Sequence, residues 1–418
     1  MIPVLLDLER VQFFSIGAGK LAEFFQPDKD SAVLNRVTGH LGSEIQGRLA
    51  ADGRVILINP NGIVVGPDGR IDTAGFIGST LDVADNDFLE GGDLVFAGDS
   101  AAGLLENQNV VIETAGGEGG EGDLFINESV SWESAYSLGL LAHRHIRANA
   151  GVQAGGDGEL VLAAGWDGET GFDPDSGAGR HEGAVDVDAL LDNPESYGNH
   201  EGSVFIDDGI QTDGVAVGSR FGTTIAMGYG IHLKGGEDDF GRYARLGFRA
   251  DPDEQPFSVS GPIQVRFHGE LRGEAGKLDY DDYGDRLSTV SIGHGLNEPH
   301  SRGGVQHEYQ GDIEIRGGGN ISFEGQIGHG GAGAGGRHTG NISLTDVGEV
   351  TLLHLGHGGA AAGNHSGDIE IRNAGSLSFP GDFEAVGHLG HRTQFGDLEG
   401  NISVRNVGDL IFVSGDFH

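Results

Sequence analysis

No cysteine occurs anywhere in the 418-residue chain. That excludes a disulfide framework, thiol catalysis and cysteine-based zinc sites. Proline is scarce, at 11 residues, and there is no G-X-Y period, so a collagen-like chain is excluded as well. No apolar run approaches the ~20 residues that cross a bilayer as a helix. The opening MIPVLLDLERV has no basic region and too short an apolar stretch for a signal peptide. Basic residues are few: 25 against 64 acidic, a formal net charge of −39. Such a field repels nucleic acid and anionic membrane surfaces, so neither is an expected partner. The G-x-S-x-G, H-E-x-x-H and P-loop patterns are missing, and no cofactor, catalytic residue or metal ligand is assigned from motifs.

Glycine is abundant instead, at 78 residues, and Val, Ile, Leu and Phe recur at short intervals throughout. Many tight corners between short apolar strands produce that combination. The stretch Val55–Val83, VILINPNGIVVGPDGRIDTAGFIGSTLDV, shows it best. Runs of three to six apolar, largely β-branched residues are cut by Asn59-Pro60-Asn61-Gly62 and Gly66-Pro67-Asp68-Gly69. Strands so short, with no helical segment between them, do not build a doubly wound sheet. They suit a coil in which each strand stacks in parallel on the one a turn below.

The second half repeats. GDIEIRGGGNISFEGQIGHGG, GNISLTDVGEVTLLHLGHGG, GDIEIRNAGSLSFPGDFEAVGHLGH and GNISVRNVGDLIFVSGD start at Gly311, Gly340, Gly367 and Gly400, with spacings of 29, 27 and 33 residues. Fixed strands with variable loops at such a period announce a solenoid. The expected fold is therefore all-β, a right-handed parallel β-helix with loop insertions. Three regions are expected: a β-helical domain over 1–165, an acidic insertion or transition over 166–222, and β-helical repeats over 223–418. Short helical turns are predicted over 85–91, with Asp87 as cap, and near Val185–Leu191.

The repeated (I/L)-G-H places His294, His329, His357 and His391 at equivalent positions. In a stacked coil they form a ladder with a ~4.8 Å step. A metal ladder is one reading. The favoured one is a corner stack in which each imidazole bonds a neighbouring backbone carbonyl, because the looser copies put Tyr229 and Phe248 in the same slot. GGEGD over 119–123 approximates a calcium-binding nonapeptide, with Asp123 one place early. Aromatics near Arg242–Arg249 suit core packing better than sugar stacking.

Leu49–Val83, together with FFSIGAG (13–19), FFQP (24–27), AVLNRVTG (32–39) and IQGRL (45–49), resembles the secretion domain of the filamentous haemagglutinin family, the large exoproteins of bacterial two-partner secretion. The resemblance runs over roughly residues 8–165, and Asn59, Pro60, Asn61, Gly62 and Ile63 match the family's asparagine-proline-asparagine-glycine-aliphatic motif. It implies a right-handed parallel β-helix exported through the periplasm and a dedicated outer-membrane β-barrel transporter to the cell surface or medium. It also implies an adhesin-type, non-catalytic role, with Asn59–Ile63 as turn and transporter-recognition motif and a host or neighbour-cell receptor or glycan as target. A β-helical polysaccharide lyase or hydrolase, and a passive stalk for a C-terminal effector, are the alternatives. Met1 falls inside the family pattern and VSGDFH closes on a rung, so sequence is expected on both sides.

Overall fold

The computed structural model describes residues 6–29, 31–39, 41–59, 62–65, 69–80, 82–83, 85–89, 96–97, 105, 109–114, 122–171, 185–207, 214–236, 243–249, 258–276, 290–295, 308–331, 336–359, 363–380, 388–391 and 396–412. The described chain is almost entirely strand, and nearly every strand pair is parallel. Leu6–Val11, Ala32–Val37, Arg54–Ile58 and Gly75–Ser79 stack in one sheet. Leu21–Phe24, Arg48–Ala51 and Arg70–Asp72 stack in a second, and Ser43–Ile45 with Ile63–Val65 in a third. Each turn of the chain thus lays one strand on each of three faces, and successive turns pair edge to edge. The fold is a parallel β-helix. Its interior here is aliphatic: Val33, Ile45, Leu49, Val55 and Leu57 are buried together.

From Val110 to Phe412 a nineteen-strand sheet continues the pattern. Register is set by ladders of like residues. Ile263, Ile313, Ile342, Ile369 and Ile402 occupy one column. Leu246, Ile292, Ile327, Leu355 and Leu389 occupy another. A shift of one residue would turn every such side chain to solvent, which is why the register holds. Full burial of each aliphatic side chain contributes roughly 1.5–3 kcal/mol.

The long repeat strands bend in place. Asp346, Asn373 and Asn406 take left-handed backbone, with φ of 57°, 57° and 53°. Asx residues tolerate that region because their side chains bond locally. Here they bond along the column: the Asn373 amide donates to Asp346 Oδ1 at 2.7 Å, and the Asn406 amide to Asn373 Oδ1 at 2.8 Å. A second ladder fixes the Gly-Asp/Asn-Ile corners. Asp312, Asn341 and Asp368 each accept the backbone N–H of the equivalent residue one turn on.

A helix forms at Asp85–Leu89, starting two residues before the expected cap. Its Asp85 carboxylate binds both Arg10 and Arg36, at 2.6 and 2.8 Å. The second helix is Val187–Asp192, capped by Asp186, whose Oδ1 accepts the Ala189 N–H. Leu190 of this helix packs with Trp166, Tyr197, Leu141, Val161 and Met227. The described residues of this stretch, 166–171 and 185–203, therefore lie over an outward face of the column, between strands Leu160–Ala164 and Val204–Asp207. Those two strands, with Val215–Ser219, belong to the column itself.

Candidate functional site

The corner after Arg54–Ile58 is built around Asn59. Its side chain is fully buried, and its Nδ2 donates to Leu41 O at 3.0 Å and Ser43 Oγ at 2.8 Å. Its backbone N–H donates to Ser79 O, and its carbonyl accepts from Gly62. Gly62 sits at φ 103°, where a side chain would be strained, and its carbonyl accepts from Ser43 before Ile63 opens the strand Ile63–Val65. One residue, through its side-chain amide and its backbone N–H, thus ties three consecutive turns. Pro60 and Asn61 lie outside the described residues. Around this end, Phe13, Leu21, Phe25 and Leu41 are exposed.

The histidines form the ladder that their spacing announces. His294, His329 and His357 stack on the next member with ring centroids 5.0, 4.8 and 4.8 Å apart and their planes nearly parallel. Each Nε2 meets a glycine carbonyl: Gly261, Gly311, Gly340 and Gly367, at 2.6, 2.7, 2.8 and 2.8 Å. Each Nδ1 accepts a backbone N–H from the turn before: Phe248, His294, His329 and His357, at 3.0, 3.1, 3.0 and 3.0 Å. A carbonyl only accepts and a peptide N–H only donates, so the tautomer is fixed as neutral Nε2–H. Both ring nitrogens are occupied, and no lone pair is left for a metal. Burial holds His294 down at about 4 and pushes His329 and His357 well below the usual imidazole range. Phe248 does occupy the slot before His294. Tyr229 does not: it lies at a register shift between Gly228 and Gly230, on a different face.

The glycine ahead of each histidine permits the approach. Gly328 has φ +151°, and a Cβ there would stand 2.0 Å from Gly356 O. Behind the ladder, fully buried Arg245 donates to Gly293 O, and Gln326 to the carbonyls of His329, Gly356 and Gly358. His338 and His365 form a second stack, 4.3 Å between centroids, with Tyr309 above.

Other candidates resolve into structure. Asp123 is held by Arg144 through two 2.7 Å bonds, as an ion pair. Tyr243 is buried, with Arg249 over its ring, and Arg242 lies outside the described residues. Among the described residues no three His, Cys, Asp or Glu side chains are grouped as a metal requires, and no helix is long and apolar enough to cross a membrane. Sequence reading missed one outward column. Phe125, Arg147, Phe205, His232 and Arg272 are register partners turn by turn. Arg147 lies 4.2 Å over the Phe205 ring, which stacks on His232 at 4.8 Å. The intervening insertion hides this alignment, and only the strand register reveals it.

The profile of the TPS secretion domain family matches residues 10–187. This chain carries a two-partner secretion domain. Over 70 residues it is 47% identical to a protein from Haemophilus influenzae Rd named heme/hemopexin-binding protein, and 41% identical to a second of that name from Haemophilus influenzae. Each match takes in 17% of this chain and 8% of the relative, so the chain aligns with less than a tenth of those proteins. The crystal structure of the HMW1 secretion domain from Haemophilus influenzae is also similar: 16% identity, 94% of this chain and 91% of that chain covered, TM-score 0.26. The secretion domain spans Asn59 and the three short sheets at the start of the column.

Proposed function

We propose that this chain is a secreted or surface-displayed adhesin-type exoprotein, carried across the outer membrane by a β-barrel transporter of the two-partner type. In this reading it acts as a non-catalytic binding surface for a receptor or glycan on a host or neighbouring cell. The observation that carries the reading is the secretion-domain match over residues 10–187, at one end of a rung-on-rung column. A column of this kind grows by repetition and offers long lateral faces. The exposed side chains of Phe13, Leu21 and Phe25 on the secretion domain give the transporter an apolar contact. In the folded chain Asn59 is buried, so any recognition of Asn59–Ile63 takes place while the segment is still extended, by strand addition. Heme binding, named for the Haemophilus relatives, is not carried over, because the chain aligns with only 8% of their length.

The test is export of the full chain with and without its cognate barrel, followed by binding of the exported product to cells. The expected result is barrel-dependent appearance outside the cell and saturable binding with no release of sugar fragments. Release of unsaturated sugars from an acidic polysaccharide would instead make it a lyase. Replacing Asn59 and Asn61 by alanine is expected to lower export several-fold, and undiminished export of a folded product would remove the recognition role.

A further inference from the structure

We propose that the histidine ladder is an acid-sensitive latch, which keeps the repeat half of the column zipped at neutral pH and releases it in mild acid while the secretion domain stays folded. The geometry gives the reason. Each ladder Nδ1 receives a peptide N–H from the turn before, so a proton there sets donor against donor and breaks the bond between turns. The rings are also stacked face to face at 4.8–5.0 Å, so a charge on one opposes a charge on the next.

The surroundings offer no relief. From the packed elements, the groups that bear on the ladder are Arg245, beside His294 and His329, and His365, beside His357. Arg245 is cationic and His365 becomes so on protonation. Tyr309, next to Arg245, keeps its phenol proton because burial raises its pKa. Among these groups none is a counter-ion for an imidazolium. Among the described residues of the first turns, 6–79, there is by contrast no histidine, and the buried clusters around Val33–Leu57 and Leu34–Ile58 centre on aliphatic side chains.

The direction follows from proton binding. A histidine that stays neutral when folded and has the ordinary ~6.5 when unfolded binds fewer protons in the native state. Its contribution is complete above about pH 6.5, shrinks as pH falls, and stops shrinking at the folded pKa. Between pH 7.5 and 5.5 each such histidine lowers the folding constant about tenfold, so the three fully buried members lower it on the order of 10³-fold. Opening of the repeats uncovers unpaired strand edges, a surface absent at neutral pH.

The experiment is hydrogen exchange of the full chain from pH 7.5 to 4.5, corrected for the intrinsic rate and read by peptide. Both tryptophans, Trp132 and Trp166, lie outside the repeats, and their fluorescence reports the other half. The expected result is loss of protection across 290–412 between pH 6.5 and 4.5, with protection over 6–79 and tryptophan emission unchanged. A His329→Gln, His357→Gln variant keeps an acceptor and a donor without the titration. Where it folds at pH 7.5, its repeats should open about one pH unit lower. If it does not fold, the wild-type urea midpoint of the repeats, compared at pH 7.5 and 5.5, decides alone. Repeats that stay protected to pH 4.5, a urea midpoint unmoved by pH, or loss in both halves together would overturn the latch.

Discussion

At the residue scale, the most informative side chains are those that bond backbone to backbone across turns. His357 accepts from His329 N–H and donates to Gly340 O, both inside the column. Removing it strands one donor and one acceptor, at roughly 1–3 kcal/mol each. His357→Ala is therefore expected to destabilise the repeats by about 2–6 kcal/mol, read as a fall in their urea midpoint at pH 7.5. His294 supplies the pH counterpart. Its folded pKa of about 4 lies below the ordinary ~6.5. The stability it lends is thus whole above pH 6.5 and is lost between 6.5 and 4, about 3 kcal/mol in all. Its alanine variant should show a correspondingly shallower acid transition. The ladder was legible in the sequence, since (I/L)-G-H recurs in step. Its neutrality was not. That depends on which nitrogen meets a carbonyl and which a peptide N–H, and spacing alone does not carry that information. Tyr229 shows the limit: its sequence neighbours resemble the ladder repeats, but it lies in Thr224–Lys234, which pairs with Ile263–Glu274, whereas the ladder follows the column Ala244–Leu246 to Val290–Ile292.

At the scale of the element, the repeat strands are long ribbons bent at one Asx residue. Sequence reading found the strands of the repeats and the corners at Gly311, Gly340, Gly367 and Gly400. It did not find the bend inside Ile342–Leu355, because Asp346 sits among strand-forming neighbours and its left-handed backbone is set by the turns on either side. Asn373 tests this. Alanine there meets both a left-handed backbone penalty and loss of two ladder contacts, an expected cost of about 1–2 kcal/mol or more. Glycine accepts the backbone and loses only the amide contacts, so Asn373→Gly should be the milder variant in the same urea measurement. The reverse order would mean that the bend carries no strain.

For the whole molecule, length and glycine content already required a fold that grows by repetition, and the recurring apolar triplets named the β-helix. The secretion-domain resemblance was legible because several segments recur in order, and residues 10–187 match that family. The lateral Phe125–Arg272 column was not legible, because residues 166–203 separate its members in the chain while the column brings them to adjacent turns. Everything proposed here, from export to latch, rests on in-register parallel stacking of successive turns. The absence of cysteine permits a clean test. Thr351 and Ser378 are register partners on neighbouring turns, whereas Thr351 and Ser376 are offset by two residues. Paired residues on adjacent strands stand ~4.8 Å apart, within disulfide reach, and the offset pair stands about 8 Å apart, beyond it. Under mild oxidation Thr351→Cys/Ser378→Cys should cross-link nearly completely and Thr351→Cys/Ser376→Cys should not. Equal cross-linking of both, or of the offset pair alone, would contradict the stacked column.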